Sequence, residues 1–218
     1  MEEIKWINDE EGHRHFLKEK LGQGGQGAVY KTRDENIVIK VVLDEAGNIV
    51  KDEKKYNEYK RSIDEIRVLD LPKGINIAKP ILMLEKPYHG YIMRLVNDMI
   101  PIKKIMIPGD EGLAEFYLRT GGIYKRLRLL RNLASILFKL HSRSIIYGDI
   151  SPDNIFISKS LDYYEVWLID ADNMRYRMDF LKAIYTPGYG APEIVNNIST
   201  NNTYSDVYSF ALLAYELL

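Results

Sequence analysis

The first third of the chain alternates apolar and polar residues in the manner of β-strands. The segments FLKEKLG, AVYKTRD and NIVIKVVL follow one another between Phe16 and Leu43, with a glycine-rich turn between the first two. A period of two with β-branched residues is typical of half-buried strands, so we expect an antiparallel meander. The segments AKPILMLE and GYIMRLV, joined by a turn around KPYHG, predict two further strands and therefore a five-stranded sheet.

Between the third and the fourth of these strands the apolar period becomes that of a helix. Ile63, Ile66 and Leu69 form an apolar stripe within the charged residues 44–72. Pro72 is expected to stop this helix, because proline cannot continue the backbone hydrogen bonds.

From Asn97 onwards the pattern is mainly helical. The segment YKRLRLLRNLASILFKLHSR predicts a long helix with five leucines on one buried face: Leu127, Leu130, Leu133, Leu137 and Leu140. DVYSFALLAYELL predicts an apolar helix, and short strands are expected around the acidic loops of IIYGDISPDNIFIS and YEVWLIDADN. The pattern indicates a mixed α+β fold of two lobes, divided near Val96 into residues 1–96 and 97–218.

The composition of the chain limits the classes of function that can be expected for it. The chain has 218 residues, 46% of them hydrophobic, which is enough for one large domain or two small lobes. Its formal net charge of -1 draws it neither to nucleic acid nor to an anionic membrane, so we expect no nucleic-acid partner. The absence of cysteine excludes disulfides, thiol catalysis and cysteine-bound zinc. The start MEEIKWINDEEG does not resemble a signal peptide and no apolar run reaches about 18 residues, so we expect a cytoplasmic protein without a membrane segment.

The first candidate site is the glycine-rich stretch LGQGGQGAVYK. Gly22, Gly24 and Gly27 give the spacing G-x-G-x-x-G and are followed by Val29. Glycine lets backbone amides approach an anion closely, although a plain hairpin turn has the same composition. A dinucleotide-binding fold would need a helix after the third glycine, whereas a strand is predicted here, so that alternative is excluded.

The second candidate is Lys40 within the apolar strand IVIKVV. Such a lysine is commonly an edge residue that extends its ammonium group to water. Paired with a carboxylate it would instead hold phosphate oxygens. Glu65 on the following helix is the best partner by position, and Glu58 is its nearest rival.

The third candidate lies in the acidic loops. Asp149 and Asn154 share one loop, and Asp170 ends the next predicted strand. Carboxylate and amide oxygens that converge suit magnesium, which takes few protein ligands and completes its shell with water and phosphate. Two unrelated polar turns at strand ends are the alternative.

Two other groups of polar residues are interpreted as structural rather than as functional sites. His13 and His15 are expected to be surface histidines, because no third metal ligand is evident. Arg119, Lys125, Arg126, Arg128 and Arg131 are expected to form a solvated helical face.

These motifs occur in one fixed order, and from about Leu21 to Leu218 the chain resembles the eukaryotic-like protein kinases of the bacterial Ser/Thr type. The resemblance implies a sheet-rich N-lobe with one helix, a mainly helical C-lobe, and ATP and Mg²⁺ as cofactors.

The resemblance also implies the following roles for single residues. Gly22, Gly24, Gly25, Gly27 and Val29 cover the nucleotide phosphates, Lys40 contacts them and Glu65 pairs with Lys40. Met93 is the gatekeeper, and Arg94 and Val96 offer backbone groups to adenine. Asp149 accepts or orients the substrate hydroxyl, and Asn154 and Asp170 bind magnesium.

Two further segments carry the resemblance. TPGYGAPE, residues 186–193, is similar to the end of the activation segment and implies a protein substrate. Asp206 matches the buried aspartate that braces the catalytic loop. The chain ends within the helix that begins near Asp206, so the last helices of the family's large lobe are expected to be missing, either by truncation or because the natural protein continues.

The catalytic region also departs from the family pattern. Tyr147-Gly148-Asp149 replaces His-Arg-Asp, so control by phosphorylation of the activation loop is not expected. Ser151 stands where Ser/Thr kinases carry a lysine that steadies the transferring phosphate. Asp170-Ala171-Asp172 replaces Asp-Phe-Gly, and Asp172 is either an additional metal ligand or a cap or turn residue.

The leading hypothesis is an ATP- and magnesium-dependent protein kinase that acts on Ser or Thr. A nucleotide-binding pseudokinase with a regulatory role is the alternative, motivated by Ser151 and the Asp-Ala-Asp sequence. Phosphorylation of a small metabolite or transfer of a nucleotide group is a third hypothesis, since a fold alone does not fix the reaction.

Overall fold

The structure is a computed structural model that describes residues 5–24, 27–44, 46–176 and 183–218. The chain forms two compact units. The first is drawn from Met1–Leu69 and Ala78–Asn97, and the second from Asp70–Ile77 and Asp98–Leu218. The second unit thus includes residues 70–77, which precede the boundary expected near Val96.

The first unit is built on one antiparallel sheet. Its strands are β1 (Trp6–Asn8), β2 (Arg14–Gly24), β3 (Gly27–Thr32), β4 (Ile37–Val42), β5 (Pro80–Met83) and β6 (Gly90–Arg94), in the order β1-β2-β3-β4-β6-β5. The meander of β2, β3 and β4 and the pair β5 and β6 confirm the prediction from alternation. The sheet has six strands rather than five because β1 was missed, since three residues are too few to show a period of two.

One face of this sheet carries the core of the first unit. Ile7, Ile39, Val41, Leu84 and Ile92 form a buried apolar cluster there. Burial of such side chains is the main favourable contribution to folding.

Helix α1 (Glu53–Arg67) follows β4 and packs against β5. Ile63 and Ile66 are buried as predicted, and the Tyr56 hydroxyl donates a hydrogen bond to the Leu84 carbonyl at 2.6 Å. Leu69 is also buried, although it lies beyond the end of the helix.

The second unit combines helices with two small sheets. Its helices are α2 (Leu113–Arg119), α3 (Gly122–His141), α4 (Pro192–Val195) and α5 (Thr203–Leu217), with 3-10 helices at Ile102–Ile105 and Ala171–Asn173. Its strands are β7 (Met99–Pro101), β8 (Ile145–Ile146), β9 (Ile155–Ser158), β10 (Val166–Leu168) and β11 (Arg175–Tyr176), ordered β10-β9-β7 and β11-β8. Strands β8, β9 and β10 and the final helix were predicted. Strands β7 and β11 were not, because their three and two residues are defined by pairing with β9 and β8 and carry no pattern of their own.

Helix α3 corrects two predictions. Leu130, Leu133, Leu137 and Leu140 are buried, but Leu127 is 50% exposed. At about 100° per residue Leu127 lies roughly 120° from the middle of the buried stripe.

The predicted solvated basic face is wrong for Lys125 and Arg126, which are both buried in α3. The Arg126 guanidinium donates to four backbone carbonyls, those of Ile105 at 2.8 Å, Leu217 at 3.0 Å, Gly122 at 3.1 Å and Tyr117 at 3.4 Å. Arg126 therefore links the first turn of α3 to the end of α5 and to the 3-10 helix Ile102–Ile105.

The prediction of two surface histidines holds for His13 but is wrong for His15. The side chain of His13 is 66% exposed, whereas His15 is 15% exposed and its Nε2 lies 2.9 Å from Oδ2 of the buried Asp9. The carboxylate of Asp9 also accepts the backbone N–H groups of Glu11 and His13, so it organises the turn between β1 and β2.

Among the described residues, no helix combines the length and the apolar character needed to span a membrane.

Candidate active site

Strand register places most of the predicted nucleotide-binding residues on one face of the first unit's sheet. Gly22 pairs with Val29, Val29 pairs with Lys40, and Lys40 pairs with Tyr91. Directly opposed residues of antiparallel strands share a face, so these four positions form one row across the sheet. Gly24 and Gly27 pair in the neighbouring row on the same face. The apolar cluster of Ile39 and Val41 lies on the opposite face.

The glycines differ in what surrounds them. A Cβ atom on Gly27 would lie 2.5 Å from the Val41 carbonyl oxygen, so only glycine fits there. A Cβ atom on Gly22 would meet no atom of the described residues within 4 Å. Gly25, also predicted to cover the phosphates, lies outside the described residues.

Lys40 lies in the interior of the first unit. Its side chain is 4% exposed, and its Nζ is 5.8 Å from the centre of the Tyr91 ring. The alternative of an exposed edge lysine is therefore wrong. Glu65 and Glu58 both lie on the exposed surface of α1, so the choice of Glu65 as the partner of Lys40 stays a prediction.

The residues predicted to contact adenine lie at the end of β6. Met93 is buried and pairs with Val38, in the row next to that of Lys40. Arg94 is exposed at the end of the strand, and Val96 follows two residues later in a partly buried position.

In the second unit the loop before Asp149 is held by Asp206. The carboxylate of Asp206 is 2% exposed and accepts the backbone N–H groups of Tyr147 and Gly148, each at 2.9 Å. The Nε2 atom of His141 lies 2.9 Å from the same carboxylate. The bracing role predicted for Asp206 is confirmed.

Asp149 is held at both carboxylate oxygens. The side-chain amide of Asn154 donates to Oδ2 at 2.8 Å, and the hydroxyl of Thr186 donates to Oδ1 at 2.6 Å. Burial raises the pKa of Asp149 above its ordinary value, and this effect outweighs the two hydrogen bonds, which lower it. The structure therefore brings Asp149 and Asn154 together as predicted.

Thr186 was not assigned a role from the sequence. It begins the segment TPGYGAPE, and its distance of 37 residues from Asp149 gave no sign that the two side chains meet. Only the tertiary fold identifies this contact.

The pairing of β9 with β10 brings the residue before Asp170 into contact with Asn154. The backbone N–H of Ile169 donates to the Asn154 carbonyl at 3.0 Å, and Asp170 follows directly in a left-handed conformation with φ of 60°. The Tyr147 hydroxyl donates to the Ile169 carbonyl and so fixes the same residue from the other side.

Negative charge is concentrated around Tyr147. Burial raises the pKa of this tyrosine well above its ordinary value, and four nearby carboxylates raise it further: Asp170, Asp149, Asp172 and Asp206. Tyr147 therefore stays a neutral hydrogen-bond donor at physiological pH. A site this rich in carboxylates favours a bound cation.

The oxygen ligands at this site suit magnesium better than a softer metal. The side chains of Asn154 and Asp170 offer amide and carboxylate oxygens, the ligands that Mg²⁺ prefers. Within the described part of the chain, no three His, Asp or Glu side chains form a closed metal cluster. An ion held by two protein side chains would complete its shell with water and phosphate, as Mg²⁺ commonly does.

The position where the family carries a lysine is buried. Ser151 is 1% exposed, and its hydroxyl has no hydrogen-bond partner among the described residues. Asp153, two residues further on, forms an exposed ion pair with Lys103. Lys103 thus offsets the negative charge of Asp153 at this end of the loop.

Comparison with known proteins gives a consistent result. The family model described as "Protein kinase domain" matches residues 16–218. The serine/threonine-protein kinase pkn2 of Myxococcus xanthus is 27% identical over 207 residues, which cover 91% of this chain and 23% of that protein. The serine/threonine-protein kinase pakF of Dictyostelium discoideum is 26% identical, with 99% of this chain and 17% of that protein covered. Wall-associated receptor kinase 2 of Arabidopsis thaliana is 31% identical, with 91% of this chain and 26% of that protein covered. The chain thus spans about a fifth of the length of the first two relatives.

Proposed function

Because the chain belongs to the protein kinase family, we propose that it transfers the γ-phosphate of ATP to a hydroxyl group of a protein substrate, with magnesium as the metal. The observation that carries this proposal is the arrangement of Asp149. Its two oxygens are held by Asn154 and Thr186, and the loop before it is braced by Asp206.

This arrangement suits phosphoryl transfer for a physical reason. The reaction needs an attacking hydroxyl in line with the phosphate and neutralisation of the phosphate oxygens, and little covalent help. Asp149, fixed at both oxygens, accepts or orients the hydroxyl of the substrate. Its raised pKa makes it a stronger proton acceptor than an ordinary aspartate.

The first unit supplies the nucleotide contacts in this proposal. The backbone at Gly22, Gly24 and Gly27 directs amide groups to the phosphates, and Lys40 on the same sheet face adds a positive charge. Glu65 pairs with Lys40, Met93 borders the adenine, and the backbone of Arg94 and Val96 binds it.

Asn154 and Asp170 hold magnesium in this proposal. The ion supplies positive charge that neutralises the phosphate oxygens during transfer. Asp172, whose charge contributes to the raised pKa of Asp149, is an additional candidate ligand.

Serine or threonine is the proposed acceptor residue. The printed names of two relatives describe serine/threonine-protein kinases, at 26% and 27% identity. The segment 186–193, which contributes Thr186 to the site, supports a protein rather than a small metabolite as the substrate.

A pseudokinase is the second candidate function, and Ser151 is the observation that favours it. This buried, neutral side chain cannot supply the charge that a lysine would give to the transferring phosphate. In that case the chain binds nucleotide and acts through a partner.

Measurement of intact mass separates these functions. The chain is incubated with ATP, magnesium and an unstructured protein rich in Ser and Thr, alongside Lys40→Ala and Asp170→Ala. We expect the wild type alone to add phosphate groups to the substrate. Retained ATP binding without any transfer would favour the pseudokinase, and addition of AMP would show nucleotide transfer instead.

A further inference from the structure

Asn201 is a buried asparagine for which the kinase resemblance provides no role. It is 3% exposed and lies just before α5. Its amide nitrogen donates to the Gly148 carbonyl at 2.9 Å and to the Ile184 carbonyl at 2.6 Å. Its amide oxygen accepts the backbone N–H of Ile184 at 2.8 Å. One side chain therefore joins two segments that are 36 residues apart in the sequence.

Both of these segments lead directly to Asp149. Gly148 is the residue before Asp149 in the chain. Ile184 is two residues before Thr186, whose hydroxyl binds Asp149 Oδ1 at 2.6 Å. Asn201 thus fixes the backbone on both sides of the contact between Thr186 and Asp149.

The conformation of Gly148 shows why such a contact is needed. Its φ of 86° lies in the left-handed region, which glycine adopts readily but which the chain does not favour on its own. Asp206 accepts the N–H of Gly148, and Asn201 donates to its carbonyl. Both backbone polar groups of Gly148 are therefore held by side chains from the start of α5.

The start of α5 is itself well ordered. Asn202 caps the helix by accepting the N–H groups of Tyr204 and Ser205, and the Ser205 hydroxyl accepts the N–H of Asn202. Such a reciprocal capping arrangement stabilises the first turn of a helix. Asn201 and Asp206 therefore lie next to or within a helix turn that is stabilised by its own cap.

We propose that Asn201 is a positioning residue for phosphoryl transfer, which holds Ile184 and Gly148 so that Thr186 reaches Asp149. This inference rests on the proposed kinase function. Asn201 touches neither the substrate nor the nucleotide in this role and acts only through Thr186 and the backbone before Asp149.

The test is a double-mutant cycle on kcat with Asn201→Ala and Thr186→Val. We expect Asn201→Ala to lower kcat by about tenfold to 100-fold, because a small misplacement of a catalytic group has effects of that size. The KM for ATP should stay within about twofold, since Asn201 does not act on the nucleotide in this account. In the Thr186→Val background the same substitution should lower kcat by less than about threefold, because the contact that it supports is already gone.

Asn196 provides the matched control. It is exposed, and its side-chain amide donates to the Pro192 carbonyl one turn earlier. Asn196→Ala should leave kcat within about twofold of the wild type. Asn201→Ser, which keeps a smaller donor and acceptor, replaces Asn201→Ala if the latter does not fold.

Two results would overturn the inference while the wild type remains active. One is a kcat of Asn201→Ala, or of the folded Ser variant, within about twofold of the wild type. The other is an equally large loss in the Thr186→Val background. An inactive wild type would instead refute the proposed kinase function on which the inference rests.

Discussion

At the scale of single residues, Asp149 carries the chemistry that we propose. Asp149→Asn keeps the size of the side chain but removes the carboxylate that accepts or orients the substrate hydroxyl. We expect kcat to fall by about 10²–10⁴-fold, the usual contribution of a positioned base. Nucleotide affinity, measured by calorimetry, should change little.

The thermal stability of the same variant provides a separate check. The folded-state pKa of Asp149 is raised, so ionisation of this residue costs stability above that pKa. Asp149→Asn should therefore melt at the same temperature as the wild type or higher at pH 8. A lower melting temperature would show that the loss of activity reflects misfolding.

The same raised pKa predicts the pH dependence of the reaction. Because the ionised form of Asp149 is required, kcat should rise with pH and level off above a pKa that is higher than that of an ordinary aspartate. The profile should be measured with saturating ATP and substrate. A rate that is already at its plateau at the pKa of an unperturbed aspartate would contradict the environment described here.

Sequence alone identified the residues with a motif and missed those that act through tertiary contacts. Asp149 and Asn154 were found from their spacing and Asp206 from the resemblance to the kinase family, and the structure brings them together. Thr186 and Asn201 were missed because their partners are 17 to 53 residues away in the sequence. A polar residue in a loop does not reveal which distant backbone group it binds.

At the scale of elements, the turn between β1 and β2 anchors helix α1. Glu10 accepts hydrogen bonds from Lys60 and from Arg67, the latter at 2.7 Å, and from the Met83 N–H of β5 at 3.3 Å. Burial alone would raise the pKa of Glu10, but these interactions lower it. The stability that this carboxylate contributes is therefore present above its unfolded pKa and is lost as the pH falls through the folded value.

Glu10→Gln tests this anchor. We expect the free energy of unfolding at pH 7 to fall by about 1 kcal/mol, since the pairs are partly exposed to solvent. The difference from the wild type should shrink at acidic pH, where Glu10 itself becomes neutral. Glu35→Gln in the exposed turn after β3 is the control and should have no measurable effect. An equal effect of the two substitutions in urea denaturation would exclude the anchoring role.

Arg126 gives a stronger prediction for the packing of α3 and α5. Arg126→Met would leave the carbonyls of Ile105 and Leu217 buried without their donor. We expect a loss of about 3 kcal/mol or more in the free energy of unfolding. Arg131→Met, on the exposed side of the same helix, should cost at most about 0.5 kcal/mol. Similar losses for the two variants in urea denaturation would contradict the account of Arg126.

Periodicity predicted the long elements well and the short ones poorly. Helices α1, α3 and α5 have enough turns for their apolar stripes to be visible. Strands β1 and β7 have three residues each and exist because a neighbouring strand supplies the hydrogen bonds. Lys125 and Arg126 of α3 were wrongly predicted to be solvated, because basic side chains are usually exposed. They are buried only where carbonyl groups distant in the sequence accept their hydrogen bonds.

At the scale of the whole molecule, the local distribution of charge matters more than its sum. The formal net charge is -1, yet four aspartates surround Tyr147 in the second unit. This local negative charge favours a bound cation at the site. The net charge near zero, in contrast, does not draw the whole protein to nucleic acid or to an anionic membrane. The net charge alone therefore neither supports nor opposes binding of ATP with magnesium.

The order of the motifs, rather than any one of them, allowed the family to be predicted from the sequence. The kinase-domain match over residues 16–218 confirms that prediction and the α+β fold. Each motif alone had a common structural alternative, such as a hairpin turn for the glycines or a polar turn for Asp149.

The central claim is transfer of the γ-phosphate, and ATP labelled at either the γ- or the α-phosphate tests it most directly. With magnesium and a Ser- and Thr-rich protein, we predict that the γ-label enters the substrate and that the α-label does not. The Asp149→Asn variant should still bind ATP but should transfer no detectable label to the substrate. Entry of the α-label, or bound ATP with neither label transferred by the wild type, would contradict the account.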